Sequence, residues 1–178
     1  MMFQVEPCEL PQEALLRRYS DSHDGVRSYT DCFAVRLTEV VSLQQFVQAF
    51  YTTPLFRVER TILGLIGRPS SDEQALSLSQ GNADSFAAWS VEARSADQLL
   101  MCDFRERTRS WFMVADNERS STTGTQLFFG SAVVSADRGR VGKSDMGQGF
   151  RLLLGFHRWY SKALLESASA ALKRTRKQ

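Results

Sequence analysis

The run from Phe150 to Ala171, FRLLLGFHRWYSKALLESASAA, constrains this chain more than any other stretch. At about 100° per residue, Leu153, His157, Tyr160 and Leu164 share one face of a helix. Leu152, Phe156, Trp159 and Ala163 widen the apolar arc, while Arg151, Arg158, Lys162 and Glu166 fall on the opposite side. A long helix with one such face needs another layer to bury it against. The sequence just upstream supplies one. From Asp84 the hydrophobic period changes to two, and strands are expected at 85–94, 98–104, 109–115 and 125–135. The polar connections between them are short enough for hairpins, which predicts an antiparallel meander.

The first half of the chain adds a strand and helices. Residues 1–30 read as an irregular lead-in, with Pro11 opening the short helix QEALLRRY and Asp24-Gly25 marking a turn. Residues 31–38 alternate, with Phe33, Val35 and Leu37 on one side, as in a half-buried strand. Ser42 with Gln45 forms a capping-box pattern ahead of the stripe Leu43, Phe46, Val47, Phe50. Pro54 breaks that helix. A second helix is expected from about 55 to 67, carrying Ile62, Leu63, Leu65 and Ile66, and a short third one at 71–79. The glycine-rich stretch 138–149 reads as a loop over a cavity entrance, and 173–178 as a basic, frayed tail. The order strand, helices, four strands, long helix predicts a single α+β domain over 1–178. In it an antiparallel sheet has its helices on one face.

Composition excludes several classes. A chain of 178 residues fits one domain with a sizeable core. A net charge of +2 gives no reason to expect nucleic acid. No run approaches the ~18 apolar residues of a membrane span, and no apolar signal segment opens the chain. Cys8, Cys32 and Cys102 are odd in number and lack CxxC spacing, which argues against a disulfide framework and a zinc site and suits a reducing cytoplasm. Gly142-Lys143-Ser144 imitates a phosphate loop, but the pattern requires glycine where Asp137 stands.

The segments SYTDCFAVRL (28–37), LGLIG (63–67), QLLMCDF with RTRSWFMV (98–114) and GFHRWYSKALLESA (155–168) together resemble the helix-grip (START-like, SRPBCC-type) superfamily. Within it they are similar to a bacterial domain-of-unknown-function family. The resemblance covers nearly the whole chain, though the polar signature around CDFRERTRS departs from the family pattern. It implies a curved antiparallel sheet wrapped round the C-terminal helix with a cavity between them. Relatives in that superfamily bind lipids, polyketides or hormones, and a few are cyclases or dehydratases.

His157 and Tyr160 are the polar groups at the border of the last helix's apolar face. An imidazole there offers a donor and an acceptor to a bound molecule, or serves as general acid or base. The structural alternative is a histidine and a tyrosine satisfied by the core. The expected ligand-binding set is His157, Tyr160, Trp89, Trp111, Phe129, Leu153 and Arg107, the last as an anion holder at the pocket mouth or else a solvated turn residue. Three functions fit. One is binding of a small apolar or aromatic molecule, with no cofactor or metal. Another is a cyclase- or dehydratase-like reaction using His157. The last is a homodimeric interaction module that buries its surplus apolar strand face on a second copy.

Overall fold

The computed structural model describes residues 4–20, 28–116, 124–134 and 148–175, with the side chains of 148–157 and 175 outside the description. The chain begins with a short edge strand β1 (Glu6–Pro7) and a 3-10 helix η1 (Leu15–Tyr19). Strand β2 (Ser28–Leu37) follows, then helices α1 (Leu43–Tyr51), α2 (Pro54–Leu65) and α3 (Asp72–Ser79). Strands β3 (Ser85–Phe86), β4 (Trp89–Arg94), β5 (Gln98–Asp103), β6 (Thr108–Asp116) and β7 (Thr125–Val134) lead to α4 (Gln148–Thr175). The described strands form one antiparallel sheet in the order β1-β2-β7-β6-β5-β4-β3. The α+β class and the long last helix against the sheet are as the sequence predicts.

Local chemistry explains the boundaries. The Ser42 hydroxyl accepts the Gln45 amide while the Gln45 side chain accepts the Ser42 amide, and Ser71 and Gln74 repeat this box at α3. Pro54 does not sit in the break between α1 and α2; it is the first residue of α2, where a missing N–H costs nothing. Thr53 caps α2 by accepting the Phe56 amide at 3.1 Å. The segment expected as one strand over 85–94 is two strands, because Ala87 turns the backbone at φ 53°. A bulge between Val91 and Ala93 then bends β4.

Both faces of the sheet are buried. On one, Phe33, Val35, Phe112 and Phe129 meet Phe46, Phe50 and Tyr51 of α1, Phe56 of α2 and Leu164, Leu165 and Ala168 of α4. Aromatic rings fill this layer: Phe50 lies 4.8 Å from Phe112 and 4.7 Å from Phe129, centroid to centroid. On the other face Cys32, Leu100, Trp111, Phe128 and Ala132 pack against Ala14 and Leu16. The described part of the N-terminal segment is therefore not an irregular lead-in; it is the second cover of the sheet. Gln98 fastens it. The Gln98 Oε1 accepts the Leu15 amide and the Trp111 indole N–H, each at 2.9 Å, and its Nε2 donates to the Glu13 carbonyl at 3.1 Å. Gly130 makes the close fit possible, since a Cβ there would meet the Leu16 side chain at 2.9 Å and Trp111 at 3.0 Å. The surplus apolar strand face that motivated the homodimer reading is thus covered from within the chain.

Candidate functional site

The site is built where α1, α2 and α4 meet. Glu59 is the one carboxylate of α2, set in the apolar run PLFRVERTILGL. Its helix places it toward α4, and the Tyr160 hydroxyl donates to Glu59 Oε2. Burial pushes the Glu59 carboxyl above the ordinary carboxylate range, and the bond from Tyr160 only partly offsets this. The Tyr160 hydroxyl is itself pushed up by burial and by the neighbouring Glu59 charge. Tyr51 lies in the same neighbourhood. It is 1% exposed, and its hydroxyl has no hydrogen-bond partner among the described residues. Burial and the Glu59 charge raise its pKa as well. An unmade hydrogen bond at a buried group costs about 1–3 kcal/mol, so such a hydroxyl is a place where an added polar atom gains. The Tyr51 ring touches Phe56 and Phe86 at 4.8 Å, and Phe56 lies 5.8 Å from Trp89. The Tyr51 hydroxyl, near the Glu59–Tyr160 pair, is therefore carried by a ring that belongs to an aromatic cluster.

The expected site residues divide. Tyr160, Trp89 and Phe129 belong to this helix-covered face of the sheet. Trp111 does not: it is fully buried on the opposite face, bonded to Gln98, because β6 alternates and Trp111 points away from its neighbour Phe112. One pocket cannot have both Trp111 and Phe129 as walls. Arg107 is exposed on the β5–β6 turn. The charged residues of that turn organise the hairpin: Asp103 accepts the amides of Arg107 at 2.7 Å and Thr108 at 2.8 Å. Arg109 turns to the N-terminal segment, bonding Glu92 at 3.0 Å and lying over the Tyr19 ring at 4.7 Å. His157 and Leu153 belong to α4, but their side chains lie outside the described residues, as does 138–147 of the glycine-rich stretch.

Sequence reasoning missed Glu59 and Tyr51. A lone acid in an apolar helix was the available signal for Glu59; Tyr51 ends its helix's apolar stripe and carried none. Beside the site, α2 leaves Val58, Ile62 and Leu65 exposed, Leu65 at 85%, and Ile66 just after it is exposed too. Among the described residues no group of three or more His, Cys, Asp or Glu side chains is gathered as a metal ion would need. No helix among them is long and apolar enough to cross a membrane. No family model, curated protein or solved structure matches this chain.

Proposed function

We propose that this chain is a helix-grip-type protein that binds a small, mostly apolar or aromatic molecule beside α4. Glu59, Tyr160 and Tyr51 supply the polar contacts, and Trp89 and Phe129 belong to the apolar wall. The observation that carries this reading is the Tyr51 hydroxyl, buried and without a partner among the described residues, beside the Glu59–Tyr160 pair. Interiors satisfy their polar groups, and an exception held next to a carboxyl is what a ligand's hydroxyl or carbonyl completes. Native mass spectrometry of freshly purified protein, followed by thermal shift across a lipid and aromatic-metabolite library, tests it. A bound species lost from Tyr160→Phe and Glu59→Gln supports the proposal. A protein that is empty and unshifted throughout the library removes it.

A second reading, an acid–base enzyme of the cyclase or dehydratase kind, is favoured by one specific observation. Glu59 is a titratable group with a raised pKa, the property that lets a carboxyl carry a proton near neutrality. His157, three residues before Tyr160 in α4, is the other proton carrier in this reading. Once a ligand is found, its conversion by wild type and not by Glu59→Gln or His157→Ala separates the two. Unchanged ligand after prolonged incubation leaves binding as the function.

A further inference from the structure

The N-terminal strand brings together two thiols that the sequence separates by 24 positions. β1 pairs with β2 with Glu6 opposite Ala34 and Pro7 opposite Phe33, which places Cys8 opposite Cys32. The Cys8 amide donates to the Cys32 carbonyl at 3.0 Å, so the pairing continues through both residues. Opposed residues in such a hydrogen-bonded position have Cα atoms about 5.5 Å apart, inside the span a disulfide bridges. Both cysteines are free thiols, and their sulfurs lie 2.9 Å apart. Their surroundings differ. Cys32 is buried in the cluster that holds Leu16 and Trp111. Cys8 is half-buried and lines a surface pocket of about 410 Å³. That pocket carries both signs of charge, from Arg36 and Lys173 and from Glu6 and Glu39.

We infer that Cys8 and Cys32 form a reactive dithiol that reduces a small zwitterionic disulfide entering this pocket, with Cys8 attacking and Cys32 resolving. In the first step Cys8 loses its proton and its sulfur attacks one sulfur of the disulfide. A bond forms between Cys8 and that half, the original S–S bond breaks, and the other half leaves as a thiolate that takes up a proton. In the second step Cys32 loses its proton and attacks Cys8 Sγ; the Cys8–Cys32 bond forms and the second thiol leaves. Two protein thiols give up two electrons, and one small disulfide becomes two small thiols.

Access sets this order, since Cys8 lines the pocket and Cys32 is buried, and the proton distribution is in keeping with it. The hydrogen bond between the two sulfurs lowers the Cys8 pKa against the effect of burial, and the same bond is the first cause that raises Cys32, followed by burial. Once Cys8 is in a mixed disulfide its charge and that bond are gone, and the largest obstacle to ionising Cys32 goes with them. Cys102 serves as an internal control: burial raises its pKa, and it lies on β5, not beside the pair.

The test uses the reduced full chain and oxidised glutathione. Under native conditions the product is expected to lose about 2 Da and to yield a Cys8–Cys32-linked peptide, with Cys102 unmodified. Cys32→Ser should accumulate a glutathione adduct on Cys8, and Cys8→Ser should give neither linkage nor a Cys32 adduct at that rate. Because Cys32 is buried, the wild type in urea is a second measurement, in which the preference for Cys8 over Cys102 should fall at least tenfold. A folded wild type that stays reduced, or that takes glutathione equally on Cys8 and Cys102, overturns the inference. So does a folded Cys32→Ser protein without an adduct on Cys8.

Discussion

Glu59 shows how one side chain sets a property of the whole molecule. Its folded pKa is raised above the ordinary value of 4.5, chiefly by burial. The native state therefore holds the proton more tightly than the unfolded chain does. The associated stability is complete below 4.5 and declines as pH rises through the raised value. In Glu59→Gln this decline is absent. Urea denaturation between pH 4 and neutrality should therefore show wild type losing stability relative to the variant as pH rises; parallel profiles would contradict a buried carboxyl. Tyr51 permits a separate test. Removing a buried hydroxyl that has no partner among the described residues also removes its desolvation cost, so Tyr51→Phe should be neutral or stabilise the unliganded protein by up to about 1 kcal/mol. The same change should weaken ligand binding. A destabilisation of more than about 1 kcal/mol in denaturant melts would mean the hydroxyl already has a bond worth that much. Neither role was legible in the sequence. Periodicity places Tyr160 on an apolar border, but it does not say which element faces it, and Glu59 stands 101 positions away.

At the scale of elements, caps and periods were readable because they are local. Ser42 with Gln45 and the two-residue period of β2, β5, β6 and β7 each lie within ten or so residues, where spacing alone fixes which residues share a face. The exception within that range is Ala87, whose positive φ interrupts an alternating pattern with a residue that carries no turn signal. The role of η1 was not readable, since its partners come from β5, β6 and β7. The Gln98 amide ties this element to the sheet through bonds to Leu15 and to Glu13 just before it, and a third from Trp111 of β6 fixes the amide in place. Replacing it with leucine leaves the Trp111 indole and the Leu15 amide without an acceptor, at about 1–3 kcal/mol for each buried donor. Gln98→Leu should be destabilised by that order, and hydrogen exchange should report η1 opening ahead of β5 and β6. Uniform exchange across all three would show that Gln98 is not the fastening.

For the molecule as a whole, the sheet is a middle layer with one cover built from α1, α2, α3 and α4 and another from the N-terminal segment. Deleting residues 1–19 uncovers Leu100, Trp111, Met113 and Phe128. Exposed apolar surface of that kind drives association or dye binding. The truncated chain is expected to bind an apolar fluorescent dye and to self-associate in light scattering. A stable, dye-silent monomer would show that the second cover is dispensable.

The sequence alone determined the class of fold, the order of its main elements, the cap of α1 and the amphipathic character of α4, because each depends on chain-local geometry and side-chain period. Tertiary structure decided the rest. It assigned Phe112 and Trp111 to opposite faces, turned residues 4–19 into a cover, set Glu59 beneath Tyr160 and put Cys8 across from Cys32. A strand apolar on both sides carries no mark of which side meets which layer. That choice belongs to chain topology, which joins residues far apart in sequence.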